Sequence, residues 1–150
     1  MIPLEEDGEG LSQLLSSVHV ADPRGEPQLL RGFYPLEEGA WRWTAKRFAV
    51  ILATPPPVEG HQSDLDLRAT LPHAFQAYLP ITISAEINHV NIGSHVFSEL
   101  VHEKLITLPI PAGVLTDGPA LVEFTLDKAL TPTTGETREL GMVVTSVAIK

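Results

Sequence analysis

The feature that most constrains this chain is a strict two-residue alternation that recurs in short runs. Leu65, Leu67, Ala69 and Leu71 alternate with Asp64, Asp66, Arg68 and Thr70. Ile81, Ile83, Ala85 and Ile87 do the same against Thr82, Ser84, Glu86 and Asn88, and Val122, Phe124 and Leu126 against Glu123 and Thr125. A period of two sends successive side chains to opposite faces, so each run predicts a strand with one dry face and one wet face.

The segments between the runs carry most of the thirteen prolines and eleven glycines, the punctuation of an all-β chain. Leu30 to Tyr34 reads as a strand ended by Pro35 and a turn at Glu37-Glu38-Gly39. Trp41-Arg42-Trp43 alternates, Thr44-Ala45-Lys46 breaks the pattern and Phe48 to Leu52 follows, so this region reads as a tight hairpin. Pro55-Pro56-Pro57 cannot donate to a ladder and starts a loop that runs to Ser63. A turn at His89-Val90-Asn91 leads into Ile92 to Phe97, and Lys104 to Leu108 is a strand stopped by Pro109. Leu140 to Ile149 is nearly all apolar, as in a central strand buried on both sides.

About eight or nine short strands result, at roughly the 8–12-residue spacing of sandwiches and barrels. The predicted fold is a two-sheet antiparallel β-sandwich of jelly-roll or related Greek-key type, spanning residues 29–150, with a barrel as the alternative. Residues 1–28 form an N-terminal lead-in, helical or irregular. It holds an acidic cluster (Glu5, Glu6, Asp7, Glu9), one face of a short helix (Leu11, Leu14, Leu15, Val18) and a turn at Asp22-Pro23-Arg24-Gly25. No other helical pattern separates the strands, which disfavours a parallel βαβ arrangement.

Composition narrows function by exclusion. A chain of 150 residues that is 43% apolar and 19% charged can bury one proper core. Its net charge of −9 and lack of a basic stripe argue against nucleic acid and anionic lipid. The absence of cysteine removes disulfides, thiolate metal sites and a cysteine nucleophile. No apolar run approaches the roughly 20 residues of a membrane helix. The acidic start does not resemble a signal peptide, so a cytoplasmic setting is expected.

Catalytic constellations are not evident, and no enzymatic activity or cofactor is expected. There is no Gly-x-Ser-x-Gly elbow and no glycine-rich phosphate loop. Asp64 and Asp66 share a strand face about 7 Å apart, which is ordinary for a solvent-facing strand. The histidines at 19, 61, 73, 89, 95 and 102 include no pair at zinc-motif spacing, although His89 and His95 flank a hairpin and His102 follows. No metal is expected.

The aromatic cluster is more informative. Tyr34, Trp41 and Trp43 lie close together, interleaved with Arg31, Arg42 and Arg47. Exposed rings would stack on a sugar while arginines and carboxylates bond its hydroxyls. The same rings could fill the core with arginine stems over them. Trp41 and Trp43 share one strand face, so alternation sends both inward or both outward. Near the end of the chain, Asp127 and Arg138 could pair to pin the Thr131-Pro132-Thr133 loop or line a ligand pocket, and Gly141 marks a bulge or a close backbone approach.

Gly32-Phe33-Tyr34-Pro35, Gly39-Ala40-Trp41-Arg42-Trp43-Thr44 and Lys46-Arg47 resemble the opening of an accessory β-sandwich domain. In bacteria that domain is appended to glycosyltransferases and methyltransferases of surface-polysaccharide biosynthesis. Val122 to Lys128 and Arg138-Glu139-Leu140-Gly141 are similar to its closing pattern, so the resemblance covers roughly residues 30 to 150. It implies a non-catalytic, sugar-associated module that works with a glycan or a glycosyltransferase partner. The carbohydrate-binding candidates are then Tyr34, Trp41, Trp43, Arg47, Asp127 and Arg138. The alternative is a protein-interaction module that forms homo-oligomers or binds another protein through exposed strands.

Overall fold

The computed structural model describes residues 14–150. Nine strands follow in chain order: β1 (Ser17–His19), β2 (Leu29–Phe33), β3 (Arg42–Leu52), β4 (Asp64–Leu71), β5 (Ile81–Ile87), β6 (Val90–Phe97), β7 (Val101–Pro109), β8 (Ala120–Leu126) and β9 (Val143–Ile149). All pairings are antiparallel, in the order β6-β5-β8-β3-β9-β4-β7, with β1 added to β9 and β2 to β3. The chain is thus all-β, and its sheet nearly closes.

The alternating runs form strands as their period requires. Every apolar position on the inward face of β4, β5 and β8 is buried, and the intervening residues, half-buried Leu121 among them, face outward. Their buried side chains join Phe48, Val50 and Leu52 of β3 and Val144, Val147 and Ile149 of β9 in one core. A small void lined by Leu65, Leu67, Ile83, Ile106, Leu108 and Phe124 places β4–β7 opposite β5–β8 across that core. Phe48 stacks on Phe124 with centroids 4.9 Å apart, and Phe33 meets Phe48 edge-on at 5.4 Å.

The break at Thr44-Ala45-Lys46 is not a turn. β3 is one continuous strand, and the break is where it changes partners. Arg42 and Trp43 pair with β9, whereas Arg47 to Leu52 pair with β8. The inward-facing parity shifts with the partner, from Trp43 to Phe48, Val50 and Leu52. The hairpin of this region is instead β2–β3. Buried Thr44 holds the crossing: its carbonyl accepts from Gly141 N (2.6 Å) and its Oγ1 from Met142 N (3.2 Å). The close approach expected at Gly141 is present, because a Cβ there would overlap the Ala45 carbonyl oxygen.

Several boundaries differ from expectation. The β5–β6 turn is Asn88-His89, both in left-handed backbone (φ 51° and 69°), which brings Ile87 opposite Val90 in a two-residue hairpin. β7 begins at Val101, and β9 at Val143 rather than Leu140. The Asp22-Gly25 segment opens a 3-10 helix (Pro23–Gln28), with Asp22 Oδ1 accepting from Arg24 N as its cap. A second 3-10 helix, His73–Tyr78, buries Phe75 between β4 and β5, where no helix was predicted. Six residues are too few for helical periodicity to stand out.

In the lead-in, Leu11 and the acidic cluster at 5–9 lie outside the described residues. Leu14 and Leu15 are not helical, and Val18 sits fully buried in β1. Gln28, only 3% exposed, ties this segment down. It accepts from Leu15 N (2.9 Å) and donates to the carbonyls of Leu15 (3.0 Å) and Ile51 (2.7 Å). Among the described residues, no helix is long and apolar enough to cross a membrane.

Candidate functional site

The β2–β3 connection and the loop before β9 assemble one polar and aromatic patch. Tyr34 follows β2, and its phenol donates to the Glu139 carbonyl at 2.7 Å. The Arg138 guanidinium lies over the Tyr34 ring, 5.1 Å from its centroid, in a cation–π contact. Glu136, two residues before Arg138, grips it twice, accepting from Nε at 2.7 Å and Nη2 at 3.0 Å. On the other side Glu37 Oε2 stands 3.6 Å from Arg138 Nη1, beyond hydrogen-bond length, and is enclosed without a partner. Glu37 and Trp41 exchange backbone bonds, which sets the half-exposed Trp41 opposite Glu37 in the β2–β3 connection.

Charge is fixed firmly here. The Arg138 hydrogen bonds, side chain first and then backbone, hold the Glu136 carboxyl down to about 2 from an ordinary 4.5. Glu136 in turn raises the Arg138 guanidinium, with a smaller contribution from Glu37. Arg138 is therefore a permanent planar cation in a set orientation, backed by an aromatic ring.

Of the six predicted residues, Tyr34 and Arg138 meet in this patch, and Trp41 joins it through its backbone pairing with Glu37. Trp43 packs toward the core, 6.3 Å from Phe75, whereas Trp41 precedes β3 and lies outside the core cluster. Arg47 is exposed on the outer sheet face opposite Thr125. Asp127 does not pair with Arg138: its Oδ1 accepts from Thr82 N (2.8 Å) and fixes the β5–β8 end instead. The physical reason is proximity, since Glu136 reaches Arg138 from two residues away.

Two other features escaped sequence reasoning. A cleft of about 690 Å³ opens between the loops 53–63 and 110–119, flanked by Pro55, Pro57, His61, Thr116, Asp117 and Lys150. Its size suits a small ligand, but no tryptophan, tyrosine or phenylalanine lines it. The run of prolines was its one sequence signal. The second is a carboxylate–imidazole group, Glu86, His89 and Glu123, whose ligating atoms lie within 4.8 Å of one another. Only strand register brings these three together. His95 stacks edge-on against Phe97 at 4.8 Å, and burial, with Lys104 nearby, lowers its pKa.

No protein-family model matches the chain, and no curated protein matches it. Among solved structures, an acetyl xylan esterase (Est2A) from the rumen bacterium Butyrivibrio proteoclasticus aligns over 92% of this chain at 10% identity and TM-score 0.45. The chain spans 32% of that structure's length.

Proposed function

We propose that the protein is a cytoplasmic, non-catalytic carbohydrate-binding module, a two-sheet β-sandwich that serves a glycan-building enzyme. The observation that carries this reading is the Arg138 guanidinium, held by Glu136 over the Tyr34 ring, in the patch to which the half-exposed Trp41 is tied by its backbone bonds to Glu37. A half-exposed indole offers a stacking face for a sugar ring, and a preoriented guanidinium offers directional bonds to its hydroxyls. Little ordering entropy is then lost on binding, because Arg138 is already held. The sandwich description is supported by the facing of β4–β7 and β5–β8 across the core, with β3 passing between the two strand sets.

A glycan-array screen of the protein, with Trp41→Ala and Arg138→Ala variants beside it, tests the proposal. Binding should be present and should fall in both variants while their thermal unfolding stays cooperative. Binding that instead falls in His61→Ala and survives in Trp41→Ala would move the site to the proline-walled cleft. No binding across a broad array would end the carbohydrate reading.

A second reading is favoured by the two strands that end the sheet path. β6 and β7 leave Val90, Val96 and Leu105 exposed at 47%, 52% and 45%. Apolar side chains on terminal strands suit pairing with a second copy.

A further inference from the structure

Glu86 and Glu123 stand directly opposite one another in the β5–β8 ladder, both on the outer face. Like charges at directly opposed positions repel, and nothing in the ladder itself requires a carboxylate at either place. The neighbouring outward pair, Ser84 and Thr125, is neutral. The two-residue turn then returns His89 to the same spot, with Nδ1 3.3 Å from Glu123 Oε1.

The two oxygens of Glu123 are not equivalent. Oε2 is engaged by the Arg31 guanidinium. Oε1 is enclosed and has no hydrogen-bond partner, despite the nearby imidazole. The imidazole and the carboxylate are therefore close without a hydrogen bond between them, which leaves Oε1 available to a further partner.

We propose that Glu86, His89 and Glu123 bind a divalent transition-metal ion of the zinc class at the β5–β6 turn. The donor set is one imidazole nitrogen and two carboxylates, a mixture suited to zinc rather than to calcium or magnesium, which favour all-oxygen shells. The present spread of 4.8 Å needs only small rotations of exposed Glu86 and His89 to reach the roughly 3.3 Å edge of a tetrahedron with bonds of about 2.0 Å. Arg31 acts as a positioning residue, holding Oε2 so that Oε1 faces the ion. Two carboxylates against one guanidinium keep the site negative. Three protein ligands leave a fourth position open to water or another ligand.

Titration of the full chain with zinc chloride by calorimetry tests this. The wild type should bind one ion, and the ion should raise its unfolding temperature. Glu86→Gln and His89→Asn should each weaken binding by about tenfold or more. Asparagine tolerates the left-handed backbone at position 89, so the turn survives the exchange. His102→Ala should bind as the wild type does. Absence of binding in the wild type, or equal binding in Glu86→Gln and His89→Asn, would overturn the proposal.

Discussion

At the scale of single residues, the tightest constraint is where β3 changes partners. A Cβ on Gly141 would meet the Ala45 carbonyl oxygen and lie 2.7 Å from Thr44 Oγ1. Backbone cannot step aside as a flexible side chain does, so Gly141→Ala should cost about 3 kcal/mol, read from denaturant unfolding. A loss under about 0.5 kcal/mol would mean that the crossing is loose. Glu136 makes a claim of the opposite kind, about charge. Its folded value lies below the ordinary carboxylate value, so the stabilisation it contributes is fully present above about pH 4.5 and fades as pH falls toward 2. The group is exposed, so the effect on global stability is small. A carbon NMR titration should place its midpoint near 2 in the wild type and back toward 4.5 in Arg138→Ala. A wild-type midpoint at the ordinary value would remove the fixed cation from the patch.

Elements show how far the sequence speaks and where it stops. β4, β5 and β8 were legible because burial on one face writes itself as strict alternation. β3 was misread because a strand that trades one neighbour for another loses its parity, and in sequence that looks like a turn. Gln28 carried no signal at all, since a polar residue between a turn and a strand is unremarkable until its partners are known. Its three bonds fasten Leu15 to β3. Gln28→Ala should leave the Ile51 carbonyl and both Leu15 backbone groups to find other partners, at a cost of about 2 kcal/mol. Hydrogen exchange should accelerate first at residues 15–20, and uniform protection there would show that β1 docks through its own pairing with β9. The candidate patch was half legible. Tyr34 and Trp41 announced themselves as aromatics, but Arg138's true partners, Glu136 and Glu37, needed coordinates.

For the whole molecule the open question is whether it works alone. β6 and β7 end the sheet path and carry exposed Val96 and Leu105. If they pair between copies, light scattering should show a mass that rises with concentration, and Val96→Lys should abolish the rise without lowering the unfolding temperature. A constant monomer mass at every concentration would leave these strands as simple edges. The negative net charge opposes such association at low salt, so the measurement belongs at moderate ionic strength.

The pairing of β1 with β9 has a further consequence, in the order of synthesis. A ribosome releases β1 more than 120 residues before its partner β9. β4, too, waits for β9 on one of its sides. Until Val143 to Ile149 emerge, Val18 lacks its permanent cover and one edge of β4 stays unpaired, so the nascent chain exposes a surface prone to stick. A stalled or clipped product ending before β9 would therefore call on chaperones, whereas a chain that includes β9 can cover Val18.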